Sequence, residues 1–125
     1  MNTVLIVDDD KMFGDMLARF LSLNGFKTLC ATDSSEAFKI LQDGIVDAIL
    51  LDIKLGDEDG FALIEPIRKT HPIPIIMLTG LGYDENAMQE ALKDGASGYL
   101  SKMVELEEVA LTLHRVLGSN FAKAC

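Results

Sequence analysis

The chain has 125 residues, of which 49% are hydrophobic and 25% charged, and its 20 acidic and 11 basic residues give a formal net charge of −9. This size and balance predict one globular domain and exclude a disordered tail. The acidic charge repels phosphate backbones, so we expect no direct binding to nucleic acid. Apolar runs are too short to cross a membrane, and Met1 is not followed by a basic signal region, so we expect a cytoplasmic protein.

The two cysteines do not form a recognisable metal or disulfide pattern. Cys30 lies inside an apolar, strand-like run and Cys125 is the last residue. Their spacing suits neither a disulfide framework nor a zinc site. We therefore interpret them as a buried core thiol and a loose terminal one.

Five short apolar runs are typical of buried strands. They are rich in Val, Ile and Leu and do not alternate with polar residues, which favours strands buried on both faces of a sheet. The runs are Thr3 to Val7, Lys27 to Ala31, Ala48 to Leu51, Ile75 to Leu78 and Gly98 to Leu100.

Five amphipathic, helix-like segments alternate with these runs. Asp33 and Glu36 form a capping-box-like start for the second segment. Pro66 lies inside the third segment, 61–70, and predicts a kink or a later helix start because proline lacks a backbone donor. Apolar residues at helical spacing place the other three segments around 13–21, 87–92 and 106–117.

Strict alternation of strands and helices predicts a doubly wound α/β sandwich. Its strands would be parallel, joined by right-handed crossovers, with helices on both faces of the sheet. Such sheets bind ligands beyond the carboxyl ends of their strands. This edge is therefore where functional residues are expected.

Polar residues follow four of the five predicted strands. Asp8 and Asp9 follow the first, Asp52 the third, Thr79 the fourth and Lys102 the fifth. Parallel strands bring their carboxyl ends to one edge, so we expect these side chains to meet. Three carboxylates in one place repel one another unless a cation lies between them.

This set of residues suits magnesium-assisted phosphoryl transfer. Mg²⁺ prefers oxygen ligands and keeps several waters, so Asp9 and Asp52 are expected to bind it directly and Asp8 through water. Asp52 is then the nucleophile. Lys102 would neutralise the transferred group, while Thr79 and the amide of Gly80 would donate hydrogen bonds to it.

Four motifs resemble those of bacterial response-regulator receiver domains. They are Val-Asp-Asp-Asp at 7–10, Leu-Leu-Asp at 50–52, Met-Leu-Thr-Gly at 77–80 and Gly-Tyr-Leu-Ser-Lys at 98–102. Gly60, eight residues after Asp52, also matches the glycine that precedes the third helix of these domains. The resemblance extends over nearly the whole chain, and the four motifs occur in the right order at the right strand ends.

The resemblance implies a flavodoxin-like three-layer sandwich with sheet order 2-1-3-4-5, a receiver over residues 1–120 and a tail over 121–125. It implies that Asp52 is phosphorylated by a sensor histidine kinase or a histidine phosphotransfer protein, and that the carbonyl of Lys54 is a further metal ligand. Tyr99 would turn inward when Thr79 moves, so that the face of the fourth helix, fifth strand and fifth helix controls a downstream partner or effector domain. It leaves open a phosphorylation-dependent dimer. A receiver assists its own phosphorylation and slow hydrolysis but is not a turnover enzyme.

The chain also departs from the common receiver pattern. Lys102 is followed by Met103 where proline is common, and a cis bond before a non-proline residue costs about 3 kcal/mol, so we expect a trans peptide. Gly56 replaces another common proline, which predicts a more flexible loop. We expect the acidic loop 57–59 to be solvated, and a role in kinase docking stays open for it. We expect His71 and His114 to lie outside the site.

Three other functions fit parts of the sequence. A haloacid-dehalogenase-type phosphatase also uses a strand-end aspartate, but needs a second aspartate where this chain has Lys54. A pseudo-receiver would be an unphosphorylated interaction module, although here every reacting residue is present. A flavodoxin-like nucleotide binder would need a glycine-rich phosphate loop after the first strand, and none follows it.

Overall fold

The computed structural model describes residues 1–80 and 84–118, so the predicted boundary near residue 120, the tail and Cys125 lie outside the described residues. Helices and strands alternate along the chain. In order they are β1 (Thr3–Val7), α1 (Lys11–Leu23), β2 (Lys27–Ala31), α2 (Ser34–Asp43), β3 (Ala48–Asp52), β4 (Lys54–Leu55), β5 (Glu58–Asp59), α3 (Phe61–Thr70), β6 (Ile75–Thr79), α4 (Glu85–Lys93), β7 (Gly98–Ser101) and α5 (Leu106–Leu117). Within the described ranges, no helix is both long and apolar enough to cross a membrane.

The main sheet has five parallel strands in the order β2-β1-β3-β6-β7. Since β4 and β5 form a separate small hairpin, β6 and β7 are the fourth and fifth strands of the main sheet. The predicted order 2-1-3-4-5 is therefore confirmed. Strand order reverses between β1 and β3, which places the carboxyl ends of these two strands at the centre of one edge.

Alternate residues of the central strands point into two separate hydrophobic layers. One layer contains Leu5, Ile49 and Met77 and packs against α2, α3 and α4. The other contains Ile6 and Leu50 and packs against α1 and α5. This arrangement is the predicted three-layer sandwich, in which β1, β3 and β6 are buried on both faces.

The edge strands are less buried than the sequence predicts. Cys30 on β2 is exposed, so the prediction of a buried core thiol is wrong. The reason is its position, because β2 pairs only with β1 and lies at the rim of the sheet. β7, at the opposite edge, is partly exposed along its whole length.

Side-chain caps fix where several helices begin. Asp10 accepts a hydrogen bond from the amide of Phe13 at the start of α1, and Asp33 accepts one from the amide of Glu36 at the start of α2. Asp59 accepts from the amide of Phe61, and α3 begins at that residue. The alternative of a later helix start at Pro66 is therefore wrong.

A short hairpin that the sequence did not predict follows the phosphoacceptor candidate. In it β4 and β5 pair antiparallel, with Lys54 opposite Asp59 and Leu55 opposite Glu58. Gly56 stands in the turn with φ +60°, a conformation that L side chains rarely adopt. The peptide between Lys102 and Met103 is trans, as predicted.

Gly60 lets the chain return against the end of β3. A Cβ at this position would lie 2.0 Å from the carbonyl oxygen of Asp52 and 2.9 Å from that of Ile53. The backbone φ of Gly60 is −59°, so the restriction is steric and not conformational. Glycine is therefore required here because any side chain would push the hairpin away from Asp52.

We expect Gly60→Ala to lower the free energy of unfolding by about 2 to 3 kcal/mol, because the new methyl group forces the backbone apart. Gly14→Ala is the matched control. A Cβ at Gly14 in α1 meets nothing within 4 Å, so this change should stabilise the helix by about 0.5 to 1 kcal/mol. Urea unfolding of both variants checks this, and equal effects would contradict the close approach at Gly60.

Candidate functional site

The carboxyl edge of the sheet brings together most of the residues singled out in the sequence. Asp52 ends β3 and Thr79 ends β6, while Asp8 and Lys102 directly follow β1 and β7. A cleft of about 350 Å³ opens at this edge. It is lined by Asp9, Asp52, Ile53, Lys54, Thr79, Gly80 and Lys102.

Asp8 is the most deeply placed carboxylate, with a residue exposure of 3%. Its Oδ1 accepts a hydrogen bond of 2.9 Å from the amide of Asp10. Its Oδ2 lies 2.6 Å from Nζ of Lys102 in an ion pair. The Lys102 ammonium therefore offsets the cost of burying this carboxylate.

Asp52 faces the same ammonium group. Its Oδ2 lies 3.2 Å from Nζ of Lys102, and its Oδ1 accepts a long contact of 3.4 Å from the amide of Lys54. Burial and the neighbouring charge of Asp8 raise the pKa of Asp52 to about 6, although Lys102 partly offsets them. At neutral pH the carboxylate is still mainly ionised, as a nucleophile requires.

The ammonium group of Lys102 lies between the carboxylates of Asp8 and Asp52. Burial acts to lower the pKa of its ammonium group, but the Asp8 and Asp52 carboxylates outweigh burial and raise the pKa above its ordinary value. Its Nζ also lies 4.7 Å from the centre of the Phe13 ring, within cation–π range. Its amide donates to the carbonyl of Thr79 at 2.7 Å, which ties the loop after β7 to the end of β6.

Asp9 completes a group of three carboxylates. Oxygens of Asp8, Asp9 and Asp52 lie within 4.8 Å of one another. Asp9 is exposed, and its Oδ2 accepts a 3.0 Å hydrogen bond from the amide of Gly56 in the hairpin. One ammonium group pairs with two of the three carboxylates, and this oxygen-rich, negatively charged donor set fits a hard divalent cation such as Mg²⁺.

Thr79 and Gly80 line the cleft, whereas Tyr99 is not among its lining residues. Thr79 is buried, with 3% exposure, and Gly80 is exposed beside it. Tyr99 is partly buried on β7, opposite Met77 in the register, and packs against the layer that contains α2, α3 and α4. The structure therefore places Thr79 in the cleft and Tyr99 on the neighbouring edge strand.

Both histidines lie away from the cleft. The His114 ring packs 4.9 Å from the ring of Phe26, and His71 Nε2 lies 3.2 Å from the carbonyl oxygen of Leu41. Two contacts of the site do not follow from the sequence, the amide of Gly56 and the ring of Phe13. Helical spacing places Phe13 on the apolar face of the first helix, but it does not show that this end of the face reaches Lys102.

Comparisons with known proteins agree on one family. Residues 4–114 match the response regulator receiver domain. Transcriptional regulatory protein CpxR of Klebsiella pneumoniae subsp. pneumoniae (strain HS11286) is 34% identical over 117 residues, which are 94% of this chain and 50% of that protein. A CheY-like receiver domain protein from Methanospirillum hungatei JF-1 has a solved structure with a TM-score of 0.88 at 28% identity, over 98% of each chain. A response regulator from Burkholderia pseudomallei, solved with a phosphorylated aspartic acid, a calcium ion and citrate, gives 0.85 at 29% identity, over 100% of this chain and 74% of that chain.

The chain therefore belongs to the response regulator receiver family of two-component systems. The fold and the resemblance found in the sequence are both confirmed by these matches. The chain spans about half the length of the CpxR proteins that it matches.

We expect Lys102→Ala to lower the free energy of unfolding in chelator by about 2 kcal/mol, because the buried Asp8 and Asp52 carboxylates would then face each other without a cation. Lys69→Ala is the control, since Lys69 forms an exposed ion pair with Glu65 at 3.7 Å; its loss should change stability by less than about 0.5 kcal/mol. Denaturant unfolding in chelator measures the free energy of unfolding of both variants. Equal values would contradict the claim that the Lys102 ammonium stabilises the buried carboxylates.

Proposed function

We propose that this domain accepts a phosphoryl group on Asp52 and works as a phosphorylation-controlled switch. The observation that carries the proposal is the position of Asp52 in an open cleft, 3.2 Å from Nζ of Lys102 and grouped with Asp8 and Asp9. A nucleophile, a fixed cation and two further carboxylates are the parts that phosphoryl transfer to an aspartate needs.

In the proposed reaction a carboxylate oxygen of Asp52 attacks the phosphorus of the donor. A new O–P bond forms, and the bond from phosphorus to the donor breaks with its electron pair staying on the donor. The Lys102 ammonium neutralises charge on the transferred oxygens, while the Thr79 hydroxyl and the Gly80 amide donate hydrogen bonds to them. Lys102 is already placed by its ion pairs with Asp8 and Asp52, so little rearrangement precedes the transfer.

We propose Mg²⁺ as the cofactor. Asp9, Asp52 and the backbone carbonyl of Lys54 would hold it, with Asp8 acting through water. When bound, the ion would neutralise charge on the carboxylates and on the phosphoryl oxygens. Support comes from the group of three carboxylates, whose charge one ammonium group does not balance, and from the Burkholderia pseudomallei regulator, whose structure contains a phosphorylated aspartic acid and a calcium ion.

The proposed donor is a sensor histidine kinase or a histidine phosphotransfer protein, and the proposed target is a downstream protein or effector domain. The relatives of this chain include a transcriptional regulatory protein that is about twice as long. The domain would assist its own phosphorylation and slow hydrolysis without turning over a substrate, since Lys54 stands where a phosphatase would need its second aspartate.

We expect acetyl phosphate with Mg²⁺ to add one phosphoryl group to the native sequence, and Asp52→Asn to reduce labelling by at least about 100-fold, because an amide is not a comparable nucleophile. Asp57→Asn, in the exposed turn of the hairpin, should be labelled like the native sequence. Intact-protein mass spectrometry measures both. Labelling that persists in Asp52→Asn would place the acceptor elsewhere, and no labelling of the native sequence would favour a pseudo-receiver.

We further propose that the phosphoryl group draws Thr79 inward and vacates space for Tyr99. Because Thr79 lines the cleft and Tyr99 lies on the neighbouring strand β7, a shift of the first can alter the packing of the second. The affected surface would be the face of α4, β7 and α5. Such a switch requires the phosphoryl group to bind one packing arrangement better than the other.

We expect beryllofluoride, which stands in for the phosphoryl group on Asp52, to change backbone amide shifts both in the cleft and along α4, β7 and α5. In Thr79→Ala the shift changes in the cleft should remain and most of those at Tyr99 should disappear, because the variant lacks the hydroxyl that is proposed to move towards the phosphoryl group. Two-dimensional amide spectra record both. Changes confined to the cleft in the native sequence would mean that the domain binds the group without transmitting it.

A further inference from the structure

Glu58, on the β4–β5 hairpin, makes hydrogen bonds to the first residue of α2. One carboxylate oxygen of Glu58 accepts a 3.1 Å hydrogen bond from the backbone amide of Ser34, and the other accepts a hydrogen bond from the Ser34 hydroxyl. Ser34 is the first residue of α2, so its amide has no partner within the helix. The two residues are 24 positions apart in sequence, and their contact joins separate elements of the fold.

The same hairpin is joined to the phosphoacceptor site at three other points. It begins at Lys54, directly after Asp52 and Ile53. The amide of Gly56 in its turn donates to Oδ2 of Asp9 at 3.0 Å. The residue that follows the hairpin is Gly60, whose backbone packs against the Asp52 carbonyl. A displacement of the hairpin would therefore move the partners of both carboxylates.

Further hydrogen bonds fix the start of α2, which Glu58 contacts. Asp33 accepts a 2.8 Å hydrogen bond from the amide of Glu36. Glu36 in turn accepts hydrogen bonds from the amide and the hydroxyl of Thr32, at 2.8 and 2.6 Å. The hydrogen bonds from Ser34 hold the pKa of Glu58 below its ordinary value, and a carboxylate at a helix N-terminus is also favoured by the helix dipole.

We propose that Glu58 is a positioning residue of the phosphoacceptor site, which acts by fixing the hairpin to Ser34 so that Gly56 stays on Asp9 and Lys54 stays beside Asp52. This inference rests on the proposed function, because metal binding and phosphorylation are its readouts. The contact is exposed, so it contributes little to global stability. Glu58 acts on the site because the apparent affinity for Mg²⁺ decreases when fewer molecules have the hairpin in the arrangement that binds the ion.

The test compares four variants by Mg²⁺ titration, followed through backbone amide shifts, and by the rate of labelling with acetyl phosphate. Glu58→Ala should weaken Mg²⁺ binding by about three- to tenfold, at or below the usual effect of losing an outer contact of a metal ligand. Ser34→Ala keeps the amide contact and should have a smaller effect. Glu58→Gln can still accept from the Ser34 amide and donate to its hydroxyl, so it should bind nearly as tightly as the native sequence.

Asp57→Ala is the matched control, because it removes the same charge from the same hairpin and Asp57 has no hydrogen bond or ion pair within residues 1–80 and 84–118. Rescue by Gln, together with near-native binding by Asp57→Ala, supports positioning by contact. Equal affinities of Glu58→Ala and Asp57→Ala, with normal labelling of the native sequence, would overturn the inference and leave the proposed function intact. A native sequence that neither binds Mg²⁺ nor takes up phosphate would overturn both.

Discussion

The site depends on a charge imbalance at the centre of one sheet edge. Asp8, Asp9 and Asp52 bring carboxylate oxygens within 4.8 Å of one another, and Lys102 supplies one ammonium group between two of them. The fold tolerates this repulsion because the hydrophobic layers on both faces of the sheet fix the strands that carry these residues. A group with excess negative charge, an open cleft and a fixed cation is suited to bind a divalent ion and a phosphoryl group in turn.

The loop after β3 shows how local backbone geometry serves this site. Gly60 allows the chain to return within contact of the Asp52 carbonyl, and Gly56 allows the turn that places an amide on Asp9. The prediction of a more flexible loop rests only on Gly56, which stands where proline is common. In the structure the turn has partners on both sides, since Glu58 also contacts Ser34. These hydrogen bonds join separate elements, and a local propensity does not describe them.

The sequence was sufficient for the sandwich and for the residues at its edge, because both follow from periodicity and from the parallel direction of the strands. It was insufficient where position in the sheet decides the outcome. Cys30 has an apolar sequence context but lies on an edge strand, and is therefore exposed. The β4–β5 hairpin has strands of 2 residues each, too short for a period to be seen. The contact between Glu58 and Ser34 joins β5 to the start of α2, and only the folded chain defines the distance between them.

The central claim is that these carboxylates are held together at a cost that a bound divalent ion relieves. The most direct measurement is the free energy of unfolding of the native sequence and of Asp52→Asn, each in chelator and in Mg²⁺. In chelator we expect Asp52→Asn to be more stable by on the order of 1 kcal/mol, because burial and Asp8 disfavour the Asp52 charge. Mg²⁺ should stabilise the native sequence more than the variant, since the proposed site holds the ion in the folded state through Asp52. The account would be contradicted if Asp52→Asn were less stable than the native sequence in chelator. It would also be contradicted if Mg²⁺ raised the free energy of unfolding of both by the same amount.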